Sequence, residues 1–489
     1  HNCLVGSEMC IRDSIIIGRC AGRKVATTCY NVIIGNRAAC CVSAGSGQQV
    51  IIGQCAGNRL GQEGGTQTGN VFIGMEAGKN GINQQHNIAV GYQAGCTNLG
   101  CTGGSCNISM GFRSGCSQKS NTNNNVFIGR LTGMSNSTGC KNTFFNNTSG
   151  MCNISGGSNF AGGYATLQQN TTGSSNVAIG DQAGKCNLTG GRNVFIGNLT
   201  GHQNTTGIGN VAIECGALRC NISGTFNIAI GNNAGRENIS GGKNIYLGDS
   251  AGLSNTTGVC NIALGSEAMY CSICGGSNIA IGEHASRCSK ASLNIAIGRR
   301  ANQNNNEGQV SQLNLAIGDC ALYGGTGGSG SCGNIAFGVA AGLSHTSGLG
   351  NIFIGCCAGK SSSCTNHNVI IGSFAGCANT TGICNVLIGR LAGQNGNASL
   401  NTIVGDAAGQ DTSGGCNAIF GSCAGCDLGS GEYNVVLGAG AGTKLHSGSC
   451  NIAIGNITAA FNNVSGAHNI MMGNRAGSRL TSGTVSYTH

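Results

Sequence analysis

The nine residues Asn227-Ile228-Ala229-Ile230-Gly231-Asn232-Asn233-Ala234-Gly235 return, in varied form, 27 times between Ser14 and Asn469. The general form is Asn, three apolar residues, Gly, two variable residues, Ala, Gly. Copies start at Ser14, Asn31, Gln49, Asn70, Asn87 and Asn107, and then every 17 residues from Asn125 to Asn278. Looser steps follow at Asn294, Asn314 and Asn334, after which the spacing is 16 to 18 residues. A short, fixed period whose extra residues collect in one part of the repeat marks a solenoid. The extra residues, such as Gly324-Gly325-Thr326-Gly327-Gly328, fall in the polar half of the repeat, which is therefore expected at a loop edge.

Three successive apolar, largely β-branched residues bounded by Asn and Gly read as a short strand. Glycines at the fifth and ninth positions would each cost a helix about 1 kcal/mol. The predicted fold is all-β, a parallel β-solenoid (β-roll or β-helix) of about 27 coils with a ~17-residue repeat, running as one domain over residues 14–484. Residues 1–13 and 485–489 depart from the pattern. Met9-Cys10-Ile11-Arg12-Asp13-Ser14 and Val485-Ser486-Tyr487-Thr488-His489 resemble translated adaptor sequence, so both ends read as assembly artefacts and the chain as a fragment.

Stacked coils place equivalent residues in columns. Position one is Asn in 25 of 27 copies, which suits an amide ladder. Gly at position five and Ala at position eight suggest a backbone bend and a thin interior. The columns are typified by Asn227, Gly231 and Ala234 and by Asn244, Gly248 and Ala251. Alternate strand residues face opposite ways. Positions two and four, nearly all Ile, Val or Leu, are expected to face the coil's own core. Position three is apolar too: Phe127, Phe195, Ala229, Ala280, Phe353, Ile370, Leu387 and Val436 occupy it. It is expected to face a second layer supplied by a partner chain.

Asn-Ile-Ala-Ile-Gly-x-x-Ala-Gly followed by Asn-Thr-Thr-Gly resembles the Asn/Gly-rich repeats of phage tail fibres and large bacterial surface fibres. It is similar, more distantly, to the Ala-Ile-Gly repeats in the heads of trimeric autotransporter adhesins, whose fold is a parallel β-roll. The resemblance covers nearly the whole chain and implies a fibre-building material. The sequence departs from those repeats in its 31 Cys, in its sequons and in lacking a recognisable anchor, chaperone or receptor-binding tip.

Asn136, Asn153, Asn170, Asn187, Asn204, Asn221, Asn238 and Asn255 each open an Asn-x-Ser/Thr sequon at one register of eight successive repeats. Asn379 opens another, and further sequons start at Asn107, Asn146, Asn147, Asn198, Asn397, Asn456 and Asn463. They read as a glycan-bearing edge of a secreted fibre or, alternatively, as turn chemistry alone. Cys96 with Cys116 and Cys271 with Cys288 occupy matching registers in adjacent repeats and are candidate disulfides. Cys20, Cys55 and Cys357 read as inward-facing thiols. Cys271-x-x-Cys274 and Cys423-x-x-Cys426 lack the second pair a zinc site needs.

No catalytic, cofactor or metal constellation is expected. Asp181, Asp249, Asp319 and Asp406 follow the strand Gly in widely separated repeats and read as solvated turn residues. The net charge of +9 is spread thinly, without the basic stripe of a nucleic-acid binder. No apolar run approaches the ~20 residues of a membrane span. The expected function is that of a structural subunit of an extracellular or cell-surface filament, not an enzyme. It would partner itself head-to-tail through uncapped ends or laterally through an apolar strand face, with covalent glycans as a further addition. The alternative is the stalk of an adhesin or tail fibre that presents a ligand-binding tip.

Overall fold

In a computed structural model the chain is wound as a parallel β-solenoid with a ~17-residue repeat, with strands and no helix among the described residues. The structure describes residues 13–23, 25, 29–42, 47–60, 67–81, 84–97, 104–119, 122–288, 291–303, 312–324, 331–457, 465–477 and 487–488. It has about 24 turns, slightly fewer than the 27 repeats counted in the sequence. A turn is complete only between two successive strands, so it needs both the strand and the polar segment that leads to the next. Residues 1–12, 485, 486 and 489 of the atypical ends, and the Asn463 sequon, lie outside the described residues.

The chain divides into two compact units, His1–Lys243 and Asn244–His489. In the first, thirteen three-residue strands run from Ile15–Ile17 to Ile228–Ile230. Each pairs parallel and in register with the next, as Val177, Ala178 and Ile179 do with Val194, Phe195 and Ile196. In the second, fourteen such strands run from Ile245–Leu247 to Ile470–Met472. A small second sheet pairs Ser331–Cys332 with Gly348–Leu349, and Tyr487–Thr488 adds to the last long-repeat strand. Main-chain bonds between turns continue past the strands. Gln182 N–H donates to Tyr164 O, Gln169 N–H to Lys185 O and Thr171 N–H to Leu188 O, at 2.8 to 2.9 Å.

The inward face of each strand is the reverse of the one expected from sequence. Position three is the core position: Phe127, Phe195, Ala229, Ala280, Phe353, Ile370 and Val436 are fully buried, and Leu387 is 4% exposed. Positions two and four face outward and stay half-exposed, with Ile228 at 37% and Ile230 at 38%. Parity explains the result. Asn at position one points inward, and residues two apart on a strand share a face, so position three must follow it.

Position five is glycine for reasons of contact as well as conformation. Gly180 has φ 126°, and a Cβ there would sit 2.5 Å from Gly197 O in the next turn. Asn146 and Glu214 replace it with φ of 79° and 83°. Position eight lines the core: Ala183, Ala217, Ala234 and Ala251 are fully buried. Thr or Ser can stand there because the hydroxyl finds a carbonyl in the next turn. Thr166 Oγ1 donates to Gly180 O at 2.7 Å, and Thr200 Oγ1 to Glu214 O at 3.0 Å.

Candidate functional site

Two columns of buried asparagine tie turn to turn, the first along the repeats and the second over Asn136 to Asn255. In the first, at position one, the side-chain oxygen accepts the backbone N–H of the next Asn. Asn193 N–H donates to Asn176 Oδ1 at 3.0 Å, Asn210 to Asn193 at 2.9 Å and Asn227 to Asn210 at 3.0 Å. The same amide reaches across the coil: Asn193 Nδ2 donates to Gly207 O at 2.9 Å and Asn244 Nδ2 to Gly258 O at 2.8 Å. Each position-one Asn therefore clamps its own turn shut and anchors the next.

The second column is the sequon register, and the structure places it inside. Asn136, Asn153, Asn170, Asn187, Asn204, Asn221, Asn238, Asn255 and Asn379 are each at most 1% exposed. In the first unit the amides link head to tail: Asn187 Nδ2 donates to Asn170 Oδ1, Asn204 to Asn187 and Asn221 to Asn204, each at 2.7 Å. The other amide hydrogen goes to the glycine carbonyl three residues on, at 2.9 Å for Asn187 and Gly190. Gly207 O thus accepts from both Asn193 and Asn204, so the two columns meet at one carbonyl.

These nine asparagines therefore lie inside the coil and not on the exposed edge suggested by the sequence. An N-glycan is carried on Nδ2, and here that nitrogen is buried and hydrogen-bonded, with both hydrogens donated at each of the seven from Asn153 to Asn255. The middle residue of two of these sequons also bonds to the next turn: Thr171 Oγ1 donates to Leu188 O and Thr205 Oγ1 to Ile222 O, at 2.8 and 2.9 Å. The sequons whose asparagine is exposed are Asn146, Asn198, Asn397 and Asn456.

Beyond Asn255 the second column also holds other buried residues, among them Ser272, His345, Ser362, Thr412 and Leu428. Asn255 turns its Nδ2 to the phenol of Tyr246, a position-three residue whose burial pushes its pKa well above the ordinary tyrosine range. His345 stands in the column itself, 4% exposed, its ring edge-on to Phe353 and its Nδ1 3.1 Å from Ser362 O. Desolvation holds its pKa below the usual imidazole value.

Cys96 and Cys116, one turn apart with Cα atoms at 4.7 Å, are joined by a disulfide. Cys271 and Cys288 also stand one turn apart and are half-buried. Cys20, Cys55 and Cys357 are not inward: they are half-exposed at position seven, with φ of 56° to 57°. That left-handed corner turns their Cβ away from the core.

The chain matches no protein-family model and no curated protein.

The outer surface is therefore read from its own chemistry. Position six forms a corner column in which neighbours pair. Arg299 contacts Asp319 and Arg390 contacts Asp406, both at 2.8 Å, and Arg299 holds the Asp319 carboxyl below its usual range. Tyr92 and Phe112 stack there with centroids 5.3 Å apart, and Arg130 lies 5.8 Å from the Phe112 centroid. Asp181 and Asp249 occupy the same column, exposed. Among the described residues, no three His, Cys, Asp or Glu gather as a metal site would require. Among the described residues, no helix is long and apolar enough to cross a membrane.

Sequence reasoning missed a size rule inside the coil, although its signal was present. Where position three is aromatic, position nine is glycine: Phe72 with Gly78, Phe144 with Gly150, Phe195 with Gly201, Tyr246 with Gly252. Where position nine is Leu or Met, position three is alanine: Leu167 with Ala161, Leu218 with Ala212, Met269 with Ala263.

Proposed function

We propose that this chain is the structural subunit of an extracellular or cell-surface fibre, in which the solenoid is the shaft. The observation that carries this reading is the pair of buried asparagine columns. The first column bonds turn to turn by side chain as well as by main chain, and the second adds to it over Asn136 to Asn238, through residues with no outward chemical role. Such a coil resists axial separation, since pulling two turns apart exposes polar groups that are paired only when stacked. The 31 Cys, with Cys96 and Cys116 bonded across adjacent turns, support an oxidising location.

The test is electron microscopy and fibre diffraction of the full chain. A shaft gives extended particles with a meridional repeat near 4.8 Å. Continuous filaments support a structural polymer, whereas discrete rods of one length favour the stalk of an adhesin or tail fibre. Compact particles without that repeat would overturn both.

A further inference from the structure

The residues flanking each buried strand centre leave a continuous apolar face on the outside of each unit. At positions two and four, Thr143 and Thr402 are the polar residues, and no residue carries a charge. The side chains shield one another along the sheet yet stay open outward: Ile179 is 41% exposed and Leu437 46%. With thirteen and fourteen described strands, about 4.8 Å apart and three residues of about 3.3 Å long, each unit presents roughly 600 Å² of such surface.

That is the size of the largest apolar patch on an ordinary monomer, about 300–600 Å², and the chain carries two. A stable interface takes about 800 Å² from each partner, and the face of one unit by itself supplies most of one side. The stripe offers almost no hydrogen-bonding group, so a polysaccharide or nucleic acid would find nothing to bind. Its side chains recur at the strand spacing. A partner stays in step with them over many turns only if it repeats at the same spacing, and a second copy of this solenoid does.

We propose that this face docks on the same face of a second copy of the chain, sheet against sheet at about 10 Å. The pairing rests on the fibre reading and specifies how its shafts associate: the Ile and Val side chains of positions two and four interdigitate, while position three stays inside each coil.

The test is sedimentation velocity of the full chain under reducing conditions, so that cystine cross-links do not contribute. One variant carries V177K, I179K, V211K and I213K in the first unit and I279K, I281K, V369K and I371K in the second. Wild type is expected to associate at micromolar concentration, and the variant to sediment as a monomer with an unchanged β-sheet circular dichroism spectrum. Should lysine prevent folding, threonine at the same eight positions keeps the β preference and is expected to weaken association at least tenfold. A wild type that stays monomeric, whether or not it binds phosphatidylcholine vesicles, overturns the proposal. So does a folded variant that associates as tightly as wild type. Loss of pairing with extended particles still visible by microscopy leaves the shaft reading standing, whereas absence of such particles removes it.

Discussion

The ring of Phe195 fills the space in which Gly201, six residues on in the same coil, would carry a Cβ. Gly201 also has φ 55°, so two constraints fall on one residue. Gly201→Ala is expected to destabilise the first unit by about 2 kcal/mol or more, from overpacking and a strained left-handed backbone. Coupling Phe195→Ala to Gly201→Leu recreates the Ala212 and Leu218 pairing of the following turn. The double variant should recover part of that loss, which a double-mutant cycle on urea unfolding would measure as a favourable coupling of about 1 kcal/mol or more.

Asn187 supplies two amide bonds from a fully buried position. Asn187→Ala removes the donor to Asn170 Oδ1 and the acceptor of one Asn204 Nδ2 hydrogen, while Gly190 O keeps its bond from Asn176 Nδ2, at an expected cost of about 1–3 kcal/mol for each group left unpaired. Hydrogen exchange should show the loss concentrated in the turns on either side. Protection that is unchanged there would mean that the column is incidental to axial cohesion.

Glycan mapping by mass spectrometry on folded protein from a glycosylating host separates the two kinds of sequon. The nine buried asparagines, Asn136 to Asn255 and Asn379, are expected to be unmodified. Any occupancy should fall on exposed residues such as Asn198 or Asn456. A folded chain glycosylated at Asn187 would contradict the burial of the column.

Tyr246 gives Asn255 a buried acceptor. Tyr246→Phe keeps the ring and removes the oxygen, and should cost about 1–2 kcal/mol, read as a lowered melting temperature of the second unit.

His345 should make the second unit sensitive to acid. Its folded-state pKa lies below the ordinary value of about 6.5, so the unfolded chain binds the proton more readily. Its contribution to stability is therefore full above that pH and declines as the pH falls through it, by about 1.4 kcal/mol per unit of depression. His345→Asn restores the residue that the column uses elsewhere. The gap in melting temperature between pH 7.5 and pH 5.5 should be narrower in that variant than in wild type.

The period, the strand class, the parallel stacking and the position-one ladder were all legible in the sequence. Each is a local or repeated property: Asn, three apolar residues and Gly every 17 residues permit little else. The pairing of Phe195 with Gly201 was legible too, as a correlation of residue size within one chain. The side of the strand that faces inward was settled only by the folded coil. Ile228, Ala229 and Ile230 are all apolar, so hydrophobicity does not rank their two faces. What ranks them is the far wall of the turn, where Asn227 Nδ2 reaches Gly241 O, 14 residues on, at 2.8 Å. That bond turns Asn227 inward, alternation carries Ala229 in with it, and Ile228 and Ile230 are left outside. The same closure decides the sequons. Asn187-Leu188-Thr189 reads equally as a glycan acceptor or as a turn, and only the turn stacked beneath it takes its amide into the core.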